Sequence, residues 1–171
     1  MFNANTTETS VTFSISESSE EDADAIAELI NSESARTGAV LSVTKAEVSA
    51  WIRNGLSIVT KSNSGIIGHL SANLWPESGW IELRSSIVKP EFRGQGVASR
   101  MAGRMIDHIK DKFGSSMLVT FNNKAGAGKG ILRSIGFEET EYGKIPKELF
   151  TIGPPYRGKA EFGYKIFTKQ L

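Results

Sequence analysis

The chain has 171 residues, 39% of them hydrophobic, which is enough for one domain with a substantial core. Its formal net charge is +1, so bulk electrostatics call for neither nucleic acid nor an anionic membrane, and no partner of either kind is expected. It has no cysteine, which removes disulfides, a thiolate zinc site and a cysteine nucleophile together.

Residues 1–10, rich in Asn, Thr, Glu and Ser, read as a loose tail, and the folded domain is expected over 11–171. The tail has no apolar signal segment, and no run approaches the roughly 18 apolar residues of a membrane span. The cytoplasm is therefore the expected compartment. Val11–Ser16 alternates apolar and polar residues and suits a half-buried strand. Ser18 or Ser19 can cap a helix with Glu20, Glu21 and Asp22 in its first turn. That helix carries Ala23, Ile26, Ala27, Leu29 and Ile30 on one side and is expected to end near Asn31. A linker through Gly38 leads to Thr44, the cap of a second helix ending at Asn54-Gly55.

Leu56–Thr60, Ile66–Leu74 and Trp80–Val88 read as strands, with turns at Asn63-Ser64-Gly65 and around Pro76 to Gly79. Val97, Met101, Met105, Ile109 and Phe113 then recur at helical spacing, as in a helix packed on a sheet. Met117–Phe121 is a fifth strand, a small-residue helix runs to Ser134, and Gly136-Phe137 starts a return strand. Glu161–Phe167 alternates again and closes an α/β pattern with no internal repeat and no second domain.

The junction Ser86-Ile87-Val88-Lys89-Pro90-Glu91-Phe92-Arg93-Gly94-Gln95-Gly96-Val97-Ala98 carries the chemistry. An apolar strand ends at Val88, and a glycine-bearing turn opens directly into a helix. A helix start leaves backbone N–H groups unpaired and carries partial positive charge, so it can hold a diphosphate. Gly94 and Gly96 lack a Cβ and let the backbone curl close to the phosphates, and Arg93 adds a full charge.

The spacing Arg93-x-x-Gly96-x-Ala98 between strand and helix resembles the acetyl-CoA pyrophosphate loop of the GCN5-related N-acetyltransferases, the GNAT family. The element order matches that family from about residue 11 to 168, and Ile135-Gly136-Phe137 stands where the family usually writes Leu-Gly-Phe. The resemblance implies an α/β fold, one domain around a mixed sheet of six to seven strands splayed at the acetyl-CoA site. Acetyl-CoA is the implied co-substrate, with no metal, a small-molecule amine as acceptor, and homodimers frequent among members. The backbone of Ile87 and Val88 would pair with the pantetheine like an added strand, and an N–H there can stabilise the oxyanion formed on attack. Arg93, Gly94, Gln95, Gly96, Val97, Ala98 and Ser99 would hold the diphosphate, and Asn122 or Asn123 would contact the pantetheine arm.

Transfer to an amine needs a path for the ammonium proton and a donor for the leaving thiolate. Glu82 lies six residues before Val88. Simple alternation puts Glu82, Arg84, Ser86 and Val88 on one face and Ile81, Leu83, Ser85 and Ile87 on the other. Several members use a glutamate of this strand as general base, often through water. The opposing reading is a structural Glu82–Arg84 pair or a solvent-facing carboxylate. The family's acid is a tyrosine four residues before the Gly-Phe glycine, and Leu132 occupies that place here. Ser134, Tyr142 and Tyr164 are the substitutes, with Tyr142 soon after Phe137, or the thiolate leaves unaided.

Glu82-Leu83-Arg84-Ser85-Ser86, Gly136-Phe137 and Lys144-Ile145-Pro146-Lys147 look similar to the amino-acid branch that makes N-acetylglutamate. By that likeness Arg84 and Lys147 would bind acceptor carboxylates, which suits both cations physically. The segment Thr151–Arg157 follows nothing in that branch.

Ala125–Gly130 imitates a nucleotide P-loop but has Asn123 and Gly130 where that pattern needs Gly and Ser or Thr. His69 and His108 are the only histidines and join no ligand cluster, and Trp51, Trp75 and Trp80 read as core or turn aromatics. The expected function is direct transfer of acetyl from acetyl-CoA to a primary amine of a small molecule such as an amino acid. The alternatives are a non-catalytic acyl-CoA-binding module and a protein N-acetyltransferase.

Overall fold

Seven strands form one mixed sheet in the order β1-β2-β3-β4-β5-β7-β6 in the computed structural model, which describes residues 12–38, 40–114, 116–122, 128–151 and 165–171. The strands are β1 (Ser14–Glu17), β2 (Ser57–Ser62), β3 (Gly65–Trp75), β4 (Trp80–Val88), β5 (Met117–Asn122), β6 (Glu138–Thr140) and β7 (Lys165–Gln170). The helices are α1 (Ala23–Thr37), α2 (Lys45–Arg53), α3 (Val97–Phe113), α4 (Lys129–Ser134) and α5 (Glu148–Thr151). Only β4 and β5 run parallel; every other neighbouring pair is antiparallel. The expected tail and the expectations on Asn123, Tyr164 and the strand start at Glu161 lie outside the described residues.

The helical period seen in the sequence buries Val97, Met101, Met105 and Ile109 of α3 against Ile58, Leu70, Ile81, Leu83, Leu118, Phe137 and Phe167 on one face of the sheet. Each such buried side chain contributes roughly 1.5–3 kcal/mol, which makes this cluster the main support of the fold. Phe113, the last residue of that stripe, is only partly buried. On the opposite face α1 and α2 pack Ile26, Ile30, Val48 and Trp51 onto Val59 and Ile87. A third cluster on that same side, formed by Trp75, Val119, Ile145, Leu149 and Ile166, covers the β5–β7 end.

Helix α1 does not stop near Asn31. It runs to Thr37 and is capped by Gly38, whose φ of 62° lets its N–H return to the Ser34 carbonyl at 2.8 Å. Asn31 stays helical and clamps the incoming linker: its amide donates to the Val43 carbonyl at 2.9 Å and accepts from the Val43 N–H at 2.8 Å. Thr44 caps α2 as expected, with Glu47 closing the reciprocal capping box.

The alternation expected along β4 is also corrected. Ile87 pairs with His69 and Arg84 with Ser71, so three steps on β4 oppose two on β3. The extra residue is a β-bulge at Ser85-Ser86, and Ser85 sits at a φ of 53°. Ile81 and Leu83 therefore share the α3 face with Val88, whereas Ile87 turns to the α1–α2 face with Glu82 and Arg84.

Candidate active site

The parallel ladder between β4 and β5 contains Ile81–Leu118, Glu82–Val119 and Leu83–Thr120, and then ends. Beyond it β4 stays with β3 through Val88, while β5 stays with β7 through Asn122. The two strands separate into a fork. From Ser85 to Val88 the β5-facing edge of β4 has no ladder partner among the described residues, although the Ile87 and Val88 side chains are buried. Such an edge can accept an extended polar chain by backbone pairing.

Helix α3 begins at the mouth of the fork. Gly96 is its N-cap with φ 76°, Gly94 has the same φ, and no side chain caps the helix. A Cβ on either glycine would meet nothing within 4 Å, so the backbone angle, not crowding, is what calls for glycine. The first intrahelical bond is Arg100 N–H to Gly96 carbonyl at 3.1 Å, which leaves the Val97, Ala98 and Ser99 N–H groups without an intrahelical acceptor. The first turn contains no acid, whereas α2 opens with Glu47 and α5 with Glu148. A 17-residue helix with a bare, acid-free start fits an anion such as a diphosphate. Val97 is buried, Ala98 and Ser99 are half-buried, and Gln95 donates its side-chain amide to the Glu91 carbonyl at 3.2 Å.

Arg93 is tied on both sides. Its Nε donates to the Val88 carbonyl at 2.8 Å and its Nη2 to Glu33 of α1 at 3.0 Å. Glu33 also receives Arg36 at 2.8 and 3.0 Å. Although burial works the other way, these two arginines hold the Glu33 carboxyl below its ordinary range. The guanidinium thus braces the loop before α3 against α1 through one edge. Asn122 closes β5 opposite Lys165.

Glu82 is fully buried, one residue before the last paired position of the fork, which removes the solvent-facing reading. Arg84 is the first residue beyond the ladder, with its guanidinium carbon 5.5 Å from the ring centroid of Trp51 on α2. Both side chains lie on the α1–α2 side of the sheet. Tyr142 packs against the cluster that contains Val119, the register partner of Glu82, and burial pushes its phenol pKa up. That keeps the hydroxyl protonated, as a proton donor requires. Leu132 packs against the α3 core. Lys147 is exposed beside Glu148, whose carboxylate accepts the Ser78 N–H at 3.0 Å in the β3–β4 turn. That turn lies at the opposite end of β4 from the fork, so Lys147 and Arg84 are not brought together.

Sequence reading missed Glu33, which lies 60 residues from Arg93, and the grouping of Trp51 with Arg84. Neither carries a local signal. Among the described residues no group of three or more His, Cys, Asp or Glu could hold a metal, and no helix is long and apolar enough to cross a membrane.

A family model described as the acetyltransferase (GNAT) family matches residues 24–130. N-acetylglutamate synthase from Neisseria gonorrhoeae, solved with coenzyme A and N-acetyl-glutamate, matches 94% of the chain with a TM-score of 0.75 at 16% identity. That match covers 35% of the synthase chain, so the present chain spans about a third of its length. Rv2747 from Mycobacterium tuberculosis, solved with CoA, matches 92% of the chain and 99% of its own at TM-score 0.72 and 17% identity. A phosphinothricin acetyltransferase from Sinorhizobium meliloti, in complex with AcCoA, gives 94% and 89% coverage, TM-score 0.71 and 18% identity. Likeness at these identities establishes the shared fold. No curated protein sequence matches the chain significantly.

Proposed function

The chain belongs to the acetyltransferase (GNAT) family, whose donor is acetyl-CoA, and from that premise we propose that it acetylates the primary amine of a small molecule. The observation that carries the reading is the fork: an open β4 edge at Ser85–Val88, a bare α3 start at its mouth, and buried Glu82 at its base. Acetyl-CoA supplies an activated thioester when bound. The N–H groups from Gly94 to Ser99 would hold its diphosphate, and the Ile87–Val88 backbone its pantetheine arm. In the transfer, the acetyl carbon exchanges its bond to sulfur for one to nitrogen. The amine gives up a proton and the thiolate takes one. Glu82 would receive the first, directly or through water, and Tyr142 would supply the second.

Arg84, over the Trp51 ring beside the fork, favours an acceptor that carries a carboxylate, with Lys147 too far along β4 to share it. A second reading, acyl-CoA binding without turnover, is favoured by Leu132, which fills the family's tyrosine place with a core side chain. The discriminating experiment measures CoA thiol release with glutamate, other amino acids, polyamines, aminoglycosides and short peptides. An amino acid well above the hydrolysis background supports the proposal. Peptides as the best acceptors favour protein acetylation. No release from any amine, with acetyl-CoA still raising Tm, favours the binding module.

A further inference from the structure

Ser85 is the one non-glycine residue with positive φ among the described residues, and it sits in the bulge that opens the donor edge of β4. A serine at φ 53° is held there at an energetic cost, so something in the surrounding structure must hold it. The neighbouring strand offers His69, which is completely buried directly opposite Ile87. Its Nε2 lies 3.0 Å from the buried Ser57 Oγ, which in turn lies 2.8 Å from Ser18 Oγ. Its ring stacks on Trp51 with centroids 6.1 Å apart and planes 22° apart, and Arg84 covers the same indole. Its Nδ1 is buried without a hydrogen-bond partner, the bulge begins at the His69 register position, and besides Ser57 the Ser85 backbone is the polar group beside the ring.

We propose that His69, fixed by Ser57 and backed by Trp51, is a positioning residue that holds the Ser85 bulge and thereby sets the donor-binding edge of β4. The consequence is geometric. Without the bulge, β4 would return to simple alternation, Ile87 and Val88 would exchange faces, and the backbone groups that receive the pantetheine would be displaced. Ring burial keeps the imidazole neutral, and in the tautomer that this proposal requires, with the proton on Nδ1, Nε2 would accept from Ser57 and leave the Nδ1 N–H for the Ser85 backbone.

The proposal rests on the acetyl-CoA reading above, and one arm of its test needs no donor. Amide hydrogen exchange of Ser86–Val88 in the donor-free protein should quicken by about tenfold in His69→Ala. With donor, the same variant should raise KM for acetyl-CoA by about tenfold, with a smaller change in KM for the amine. Ser57→Ala leaves the ring in place and should shift both readouts the same way, which carries the test where His69→Ala fails to fold. Glycine accepts positive φ readily, so Ser85→Gly removes the backbone strain that the ring is proposed to offset, whatever its own effect on KM. In that background the His69→Ala effect on KM should shrink to about threefold or less, a coupling that a merely structural role would not produce. Equal effects of His69→Ala in the wild-type and Ser85→Gly backgrounds, or a lower Tm with unchanged exchange and unchanged KM, would overturn the proposal. Altered exchange in a protein that binds no acetyl-CoA would instead overturn the donor reading and leave the bulge assignment standing.

Discussion

Glu82 shows how far one side chain can be read. Its place in the strand was legible, because strand bounds at Trp80 and Val88 follow from the turn ending at Gly79, the mixed apolar and polar pattern after it and Pro90. Its complete burial at the base of a fork was not, since that depends on where β5 parts from β4. If Glu82 is the base, Glu82→Gln should lower kcat by roughly 10²–10⁴-fold while the acetyl-CoA dissociation constant barely moves. Steady-state kinetics with a calorimetric titration checks both. A variant that keeps kcat removes Glu82 from the mechanism.

His69 gives a second residue-level expectation. Burial lowers its pKa from 6.5 to about 4, the Ser85 backbone acting in the opposite sense. Between those values the unfolded chain binds a proton that the folded protein refuses. Stability from this group is therefore full above 6.5, falls as pH drops toward 4, and the loss totals ~3 kcal/mol. The depressed carboxyls Asp22 and Glu33 contribute their own loss at still lower pH, through the ordinary carboxylate range and beneath it. Melting curves from pH 7 to 4.5 should show a clearly shallower decline for His69→Gln than for wild type (about a few degrees less). Parallel curves would mean that the ring is not the source. The Ser85-Ser86 bulge itself left no trace in the sequence, because serine tolerates either face of a sheet and the alternation reads on unbroken.

Among the elements, α3 was the most legible: Gly96 and the Val97-Met101-Met105-Ile109 stripe give both its start and its buried face. Helix α1 runs past the stop expected at Asn31, because the true C-cap is Gly38 and Asn31 serves the linker instead. The open start of α3 makes a prediction with two opposite signs. Ser99→Asp places an acid at its third helical position, which should stabilise the donor-free protein by about 0.3–1 kcal/mol through the helix dipole. The same charge should repel a diphosphate and weaken acetyl-CoA binding by about tenfold or more. A higher Tm with weaker binding is the expected pair. A higher Tm with unchanged binding would move the diphosphate away from α3.

For the molecule as a whole, three apolar clusters meet around the fork, one on the α3 face and two on the other. Arg93 ties the loop before α3 to α1 through Glu33, so the proposed donor site and the α1–α2 wall share one brace. That link joins residues far apart in the chain, which is why only the strand-to-helix half of the site was legible in advance. Acetyl-CoA at 100 times its dissociation constant should stabilise the folded protein by about 2.7 kcal/mol, and the Tm should keep rising logarithmically with concentration. S-acetyl-pantetheine, which lacks the diphosphate, should stabilise far less at the same concentration.

The most direct measurement incubates the protein with acetyl-CoA labelled in the acetyl group and a mixed pool of amines, followed by mass spectrometry of every product. Label is expected on the primary amine of a carboxylate-bearing small molecule, with one CoA released for each acetyl transferred. Label found only in free acetate, or no CoA released at all, would contradict it.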